Sequence, residues 1–426
     1  VLSYLLAMKQ NGQTLPSLIV CPASLVLNWA EECQKFTPEL SCVVVDGDAA
    51  HRAELAESWP AADLVVTSYD LLRRDEALYE GQEFYACILD EAQAIKNHTT
   101  QKYKAVCKVR SRVRFALTGT PVENRLGELW SIFSFLMPGY LPPYKSFCSR
   151  FEKPIVQEED QTAVRRLNQL TGPFILRRMK SDVLKELPPK TENVYRIELE
   201  EEQRKLYLAA VVDAREKLQA AKPEDKMAVF AVLMRLREIC CDPRLIADNW
   251  EGGSAKLDAC AELVSSAVEG GHRILLFSQF TSMLELLAKR LDAEGISHFT
   301  LQGSTPKPVR AELVRRFNGG EVSVFLISLR AGGTGLNLTA ADIVIHYDPW
   351  WNVAAQNQAT DRAYRIGQQN PVQVYKLIAQ DTIEEKIVEL QQAKQSLADT
   401  VTGTADGAIL SMRPDELLQL LEGSEP

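Results

Sequence analysis

The chain has 426 residues, 46% hydrophobic and 25% charged, with a net charge of −9. This is the balance of an ordinary globular protein of two to three domains at about 150 residues each. No run of eighteen apolar residues occurs, which excludes a membrane-spanning helix, and the acidic balance argues against indiscriminate nucleic-acid binding while leaving room for a local basic groove.

The start, VLSYLLAMKQ, lacks Met and a cationic segment, so it is not a signal peptide and is expected to lie mid-domain. Short apolar runs then alternate with helical stretches. The candidate strands are Leu18–Cys21, Cys42–Val45, Leu64–Thr67, Ala86–Leu89 and Arg114–Leu117. From about Leu126 to Trp250 the pattern is mostly helical, broken at Leu187–Lys190 because Pro188 and Pro189 cannot continue a helix. The strand rhythm resumes with Arg273–Phe277, His298–Leu301, Val322–Ile327, Ile343–Tyr347 and Val372–Leu377. Fully apolar strands alternating with helices predict parallel sheets covered on both faces. After the first of these strands, Ser282 and Glu285 form a capping-box pattern, Leu284, Leu287 and Leu291 make one face, and Gly295 can end the helix. The polar tail after Val401 closes on an amphipathic DELLQLLEG.

The predicted class is α/β, with two parallel-sheet lobes and helical insertions between and within them. Lobe 1 covers residues 1–186, with a helical insertion from about 126. Lobe 2 covers 187–400, with a helical insertion at about 195–250, and 401–426 is a C-terminal tail.

In doubly wound sheets, ligands sit at the carboxyl ends of the strands. The distinctive residues fall there: Cys21–Ser24, Thr67–Tyr69, Asp90–Gln93, Thr118–Pro121, Ser278–Phe280 and the glycine-rich loop after Ile327. DEAQ after an apolar strand is a Walker B pattern, in which Asp90 can hold Mg²⁺ through water and Glu91 can activate the attacking water. The competing reading is that one acid caps the next helix. LTGTP, with Thr118, Gly119 and Thr120, can couple phosphate state to lobe position, or be a plain turn. AGGTGLNL, with Gly333 and Gly335, lets backbone approach a phosphate closely, or is a flexible loop. DRAYRIGQ spaces Arg362 and Arg365 three apart on one helical face, as arginine fingers for a transferring phosphoryl or as a solvated basic face. Trp350 and Trp351 either stack on a base or fill a packing site. Cys240–Cys241 reads as a helix end packed in the core. The nine cysteines hold no C-x-x-C spacing and fit reduced thiols of a cytosolic protein, and the five histidines make no metal cluster.

The series IVCPASLVLNW, VTSYDLL, DEAQAIKN, LTGTPVENRLGELWSIFSFLMPGYL, FILRRMKSDVLKELPPK, LLFSQF, LISLRAGGTGLNLTAADIVIHYDPWWN and DRAYRIGQ resembles the Swi/Snf-type ATPases of helicase superfamily two. The resemblance runs from about Leu2 to Leu397. It implies two RecA-like lobes that clamp ATP with Mg²⁺ and move along double-stranded DNA without separating the strands, remodelling protein–DNA complexes. It implies catalytic roles for Asp90, Glu91, Arg362 and Arg365, with cleft support from Gln93, Thr118, Gly119, Thr120, Gly333, Gly335 and Gln368. Ser24, Asn28, Ser68, Gln279, Thr334 and Asn337 look like contacts to the DNA backbone, which carry no base specificity. The partners implied are duplex DNA and DNA-bound proteins such as polymerase or nucleoid proteins, with no membrane. The compartment implied is the bacterial cytoplasm at the nucleoid, or the nucleus in a eukaryote.

Three departures qualify the resemblance. Tyr364 stands where the family usually has His, and Val353 follows Trp350-Trp351-Asn352 where Pro is usual. No GxxxxGK[ST] phosphate loop occurs, since Gly252-Gly253-Ser254-Ala255-Lys256 has the wrong spacing. The chain is therefore expected to begin just after that loop and to be inactive alone. The alternative is a non-catalytic DNA-binding or scaffold protein of the same fold. A strand-separating helicase is disfavoured because no strand-splitting wedge is recognisable.

Overall fold

The computed structural model describes all residues except 120–125, 159, 177, 179–183, 185–186, 221, 223–224, 248, 333–335, 352, 392–413, 415–416, 419–420 and 422–426. The chain divides into two compact units, one covering Val1–Leu176 and the other starting at Arg177.

In the first unit, strands β1 (Ser17–Cys21), β2 (Cys42–Val44), β3 (Leu64–Ser68), β4 (Glu83–Leu89) and β5 (Arg110–Ala116) form one sheet in the order β2-β3-β1-β4-β5. Every pairing in it is parallel. Alternation along the strands supplies two cores. Leu18, Val20, Val65, Cys87 and Leu89 pack on one face with Trp59, Phe84 and Phe135. Ile19, Cys21, Val66, Ala86 and Ile88 pack on the other with Leu5, Val26 and Cys33. Each such side chain contributes about 1.5–3 kcal/mol on burial, which is why the central strand tolerates no polar break. After β5, the helices Leu126–Leu136 and Gln161–Thr171 pack a separate cluster around Leu129, Phe133, Phe147 and Leu167, as the helical texture from about 126 predicted.

The second unit repeats this plan with β6 (Lys190–Ile197), β7 (Ile274–Ser278), β8 (His298–Leu301), β9 (Val324–Ser328), β10 (Ile343–His346) and β11 (Val372–Ala379). The order is β6-β11-β10-β7-β9-β8, again with parallel pairings. All ten strands read from the sequence are present, with ends shifted by a few residues.

Three sequence expectations need correction. Residues 190–197 were read into the helical stretch, yet they form β6, paired to β11 from Lys190↔Val372 to Ile197↔Ala379. The strand KTENVYRI is exposed along seven of its eight residues, so it lacks the apolar run that marks a buried strand. Its neighbour supplies the hydrogen bonds, and Glu192 ties the edge by accepting from Lys190 (2.7 Å) and Lys376 (2.8 Å). The capping box is not used either: the helix Thr281–Ala293 starts two residues earlier than a Ser282 cap would place it, with Phe280 at its N-cap and no side-chain cap. Its apolar face is as read, with Leu284, Leu287 and Leu291 buried, and Gly295 takes φ +71° just beyond the end. Finally, the helix Val353–Thr360 stops before Asp361, so Arg362 and Arg365 lie in successive turns rather than on a helical face. Gly367, at φ +102°, closes those turns.

The helical insertion of the second unit is bound into it by apolar and charged contacts. Helices Glu201–Ala220 and Lys226–Cys241 bury Tyr207, Val211, Leu233 and Leu236 against Trp351, Ile383 and Ile387. Leu417 and Leu421, from the amphipathic piece of the tail, join the same cluster. Cys240 and Cys241 are fully buried, as the packing reading expected. Beneath them Lys256 donates to Glu384 at 2.5 Å, both side chains 0% exposed, and Glu384 also accepts from the Ala379 N–H. On the far side of β10, buried His346 meets the Thr360 hydroxyl at 2.9 Å. Burial, reinforced by the charges of Lys376 and Lys190, pushes its pKa from 6.5 down to about 3, so it is neutral.

Two predictions follow from these buried groups. Lys256→Met leaves Glu384 buried and unpaired, and is expected to lower unfolding free energy in urea by about 3–5 kcal/mol. Adding Glu384→Gln, which keeps the acceptor for Ala379, is expected to recover much of that loss. For His346, the folded pKa lies below the unfolded one. Its contribution is thus complete above 6.5 and is lost as pH falls toward 3, at about 1.4 kcal/mol per pH unit. The unfolding midpoint of His346→Gln should therefore fall less steeply on acidification than that of the native chain.

Candidate active site

Parallel pairing sends every strand of the first sheet out at the same edge. The register Cys21↔Ser68, Val20↔Leu89 and Leu89↔Ala116 brings the segments after β1, β3, β4 and β5 side by side. Those segments hold Ser24, Ser68, Asp90–Glu91 and Thr118–Gly119.

Asp90 is fixed at four points. Its N–H donates to Val20 O (2.9 Å), and its carbonyl accepts from the Tyr69 hydroxyl (2.9 Å). Its Oδ1 accepts from the Glu91 N–H (2.9 Å), and its Oδ2 from the Trp29 indole Nε1 (2.9 Å). Burial raises the Asp90 pKa, against which the Trp29 and Glu91 donors work. Glu91 sits at φ +50°, ψ +54°, a left-handed conformation uncommon for a residue with a Cβ and one that clusters at functional sites. Neither acid caps an α-helix. The next element is a single 3₁₀ turn at Ala92–Ile95, where Glu91 gives no side-chain cap, and the helix beyond starts at Gln101 with Thr100 as its cap.

A side-chain relay leaves Glu91. Gln93 Nε2 donates to Glu91 Oε2 at 2.6 Å, and the Thr118 hydroxyl donates to Gln93 Oε1 at 2.8 Å. Backbone bonds reinforce it, with Ala92 N–H to Leu117 O (2.9 Å) and Leu117 N–H to Leu89 O (2.7 Å). Asp90, Glu91, Gln93 and Thr118 are thereby brought together, with Gly119 next in chain. Thr120 lies outside the described residues.

The second unit holds the remaining candidates. Arg362 and Arg365 are half-buried in the turns after Thr360. Arg362 O accepts from the Leu338 N–H (3.0 Å), and Arg365 Nη1 reaches Leu336 O at 3.4 Å. Gln368 is buried and braces these turns: its Nε2 donates to Ala341 O (2.7 Å) and Ala363 O (3.1 Å), while its Oε1 accepts from two N–H groups. Gly333, Thr334 and Gly335 lie outside the described residues.

The proposed DNA-contact residues differ among themselves. Asn28 and Asn337 are exposed. Ser68 is buried, and its hydroxyl caps the helix Tyr69–Arg74 by accepting from the Leu71 N–H (3.2 Å). The Ser24 hydroxyl and both polar atoms of the Gln279 amide are buried with no partner among the described residues. The Gln279 N–H donates to Asp348, which also takes the Ser278 hydroxyl at 2.8 Å.

Sequence reasoning gave no role to Trp29, Tyr69, Asp348 or Arg237. Arg237 is fully buried, donates to Pro349 O at 2.5 Å, and lies 4.5 Å from the Trp351 ring centroid. Trp350 and Trp351 pack together at 4.8 Å, so the packing reading fits them. A signal for Trp29 existed: an indole on an inward helical face needs an acceptor for its N–H.

Among the described residues, no group of three or more His, Cys, Asp or Glu could cage a metal, and no helix is long and apolar enough to cross a membrane. Comparison with known proteins gives two family matches, the SNF2-related domain over residues 1–245 and the helicase conserved C-terminal domain over residues 255–367. The chain is 40% identical over 418 residues to an uncharacterized ATP-dependent helicase of Mycoplasma pneumoniae, covering 97% of this chain and 40% of that protein. It is 39% identical over 431 residues to the putative ATP-dependent helicase/translocase YwqA of Bacillus subtilis, covering 99% of this chain and 47% of that one. The chain spans less than half the length of these relatives. A solved structure of the Sulfolobus solfataricus SWI2/SNF2 ATPase core in complex with dsDNA is 35% identical, with 94% of this chain and 84% of that chain covered, at a TM-score of 0.45. With the SNF2-related match extending over residues 1–245 and the helicase C-terminal match over most of the rest, the chain belongs to the SNF2-related family of helicase superfamily two.

Proposed function

We propose that the protein is a DNA-dependent ATPase that translocates on duplex DNA and remodels protein–DNA complexes without separating the strands. The observation that carries this reading is the chain Asp90–Glu91–Gln93–Thr118, assembled at the carboxyl edge of a parallel sheet in a chain of this family.

The residues fit Mg²⁺. Asp90 offers hard oxygen donors, and each of its carboxylate oxygens accepts one N–H, leaving lone pairs for a water of the ion's shell. Mg²⁺ is held by one or two carboxylates together with substrate phosphates, so no all-protein cage is needed. When bound, the ion neutralises charge on the β- and γ-phosphates. Glu91 accepts a proton from the water whose oxygen bonds to the γ-phosphorus, while the bond from that phosphorus to the bridging oxygen breaks. The products are ADP and inorganic phosphate. Gln93 orients the Glu91 carboxylate, and Thr118 holds Gln93; Gly119 and Thr120 are proposed as further cleft support. Arg362 and Arg365 supply positive charge to the transferring phosphoryl. Gln368 braces the turns that carry them, and Gly333 and Gly335 are proposed as further cleft support.

For DNA, exposed Asn28 and Asn337 are suited to meet phosphates directly. Ser24, Ser68, Gln279 and Thr334 complete the set, and the Ser68 hydroxyl also caps the helix Tyr69–Arg74. Contacts of this kind read backbone rather than sequence, so binding should weaken steeply with salt. The same reading puts the protein on chromosomal DNA in a bacterial cytoplasm, in keeping with the bacterial relatives.

In the full-length protein, Glu91→Gln is expected to retain ATP but to lose turnover by about 10²-fold or more, measured as phosphate release with duplex DNA. Unchanged turnover would remove Glu91 from its role. With ATP, the native protein should displace the third strand of a DNA triplex while leaving a forked duplex paired. Separation of the fork would contradict translocation on intact duplex, and duplex binding with neither turnover nor displacement would mark a scaffold.

A further inference from the structure

The helix Val26–Phe36 has two working faces. Val26, Trp29 and Cys33 turn inward onto the sheet, and Leu27 and Asn28 are exposed. The Trp29 indole crosses 61 positions of sequence to reach Asp90 Oδ2. The other groups that fix Asp90 come from β1, from Tyr69 and from the adjacent Glu91. Among the described residues, Trp29 is therefore the side chain that holds the Asp90 carboxylate from another element. Its chain neighbour Asn28 is exposed to solvent.

We infer that Trp29 is a positioning residue that couples contact with DNA phosphates to the metal-side carboxylate, so that turnover responds to duplex. This rests on the ATPase reading above. A hydrogen bond to a carboxylate is strong and depends on angle. The indole is packed with Leu25, Val26 and Cys33, so it moves with its helix rather than independently. A phosphate held at Asn28 steadies that helix one residue away from the donor. The Asp90 oxygens then stay aimed where an Mg²⁺-bound water needs them. Without the indole N–H, the carboxylate keeps only local donors, and the helix loses its hydrogen bond to the site.

The test replaces Trp29 in the full-length protein with 3-benzothienylalanine, which keeps the ring shape and removes the N–H. Trp29→Phe serves as a second variant. Phosphate release is measured with and without duplex across a Mg²⁺ titration, and duplex affinity by anisotropy. The ratio of DNA-stimulated to basal rate is expected to fall about tenfold, the worth of one hydrogen bond to a charged group. Half-saturating Mg²⁺ should rise, while duplex affinity and melting temperature stay native. A native stimulation ratio in the isostere overturns the coupling. So does an equal loss of basal and stimulated rates with a lowered melting temperature, which shows a packing role only. If the native protein itself shows no DNA-stimulated turnover, the ATPase reading fails first, and the coupling falls with it.

Discussion

Parallel pairing is the constraint on which the rest of this molecule depends. A parallel strand must return to its starting edge before the next can pair, so each connection crosses a face of the sheet. Both faces are then covered, and the central strands are buried throughout and apolar but for a serine at one end, as β1 and β7 are. The same geometry gathers every loop that follows a strand at one edge. Residues as far apart in sequence as Ser68, Asp90 and Thr118 become neighbours there without any of them being chosen for packing. A site at that edge can change chemistry through its loops while the sheet beneath stays the same.

This explains what could be read from sequence and what could not. The central strands β1, β3, β7, β9 and β10 were visible because burial on both faces forces the composition. β6 was invisible because an edge strand gains its hydrogen bonds from one partner and needs no apolar face; its Glu192 is held by lysines instead. The acids of DEAQ were legible as a pair at a strand end, but nothing in the local sequence could give the left-handed backbone of Glu91 or the order of the relay through Gln93. Spacing also misled at Arg362 and Arg365. Three residues apart suits one helical face, yet the helix ends at Thr360, whose hydroxyl is engaged by His346 from β10.

The second unit shows how a helical insertion becomes part of a lobe. Apolar packing alone would let the helices Glu201–Ala220 and Lys226–Cys241 slide on the sheet edge, since dispersion has little directional preference. Directional groups remove that freedom. Arg237 donates to Pro349 O beside Trp351, and the Tyr207 hydroxyl accepts the Ile383 N–H. Sliding either helix would strip a buried donor or acceptor of its partner, at a cost of about 1–3 kcal/mol each, so the observed register of helix on sheet is favoured. The loop after β10 is thereby held against the insertion, and Asp348 holds it to the end of β7.

Asp90 shows the opposite balance. Burial works against its charged form, and the donors it meets only partly offset this. A carboxylate left in that condition gains from a nearby cation more than an exposed one does, because less water competes for it. Full satisfaction by protein donors would abolish that gain, and full exposure would dilute it. Two N–H donors, one local and one from Trp29, leave the group oriented yet still short of positive charge. That balance suits the Mg²⁺ role proposed for Asp90, and the donor from Trp29 is the part of its surroundings supplied by the helix Val26–Phe36.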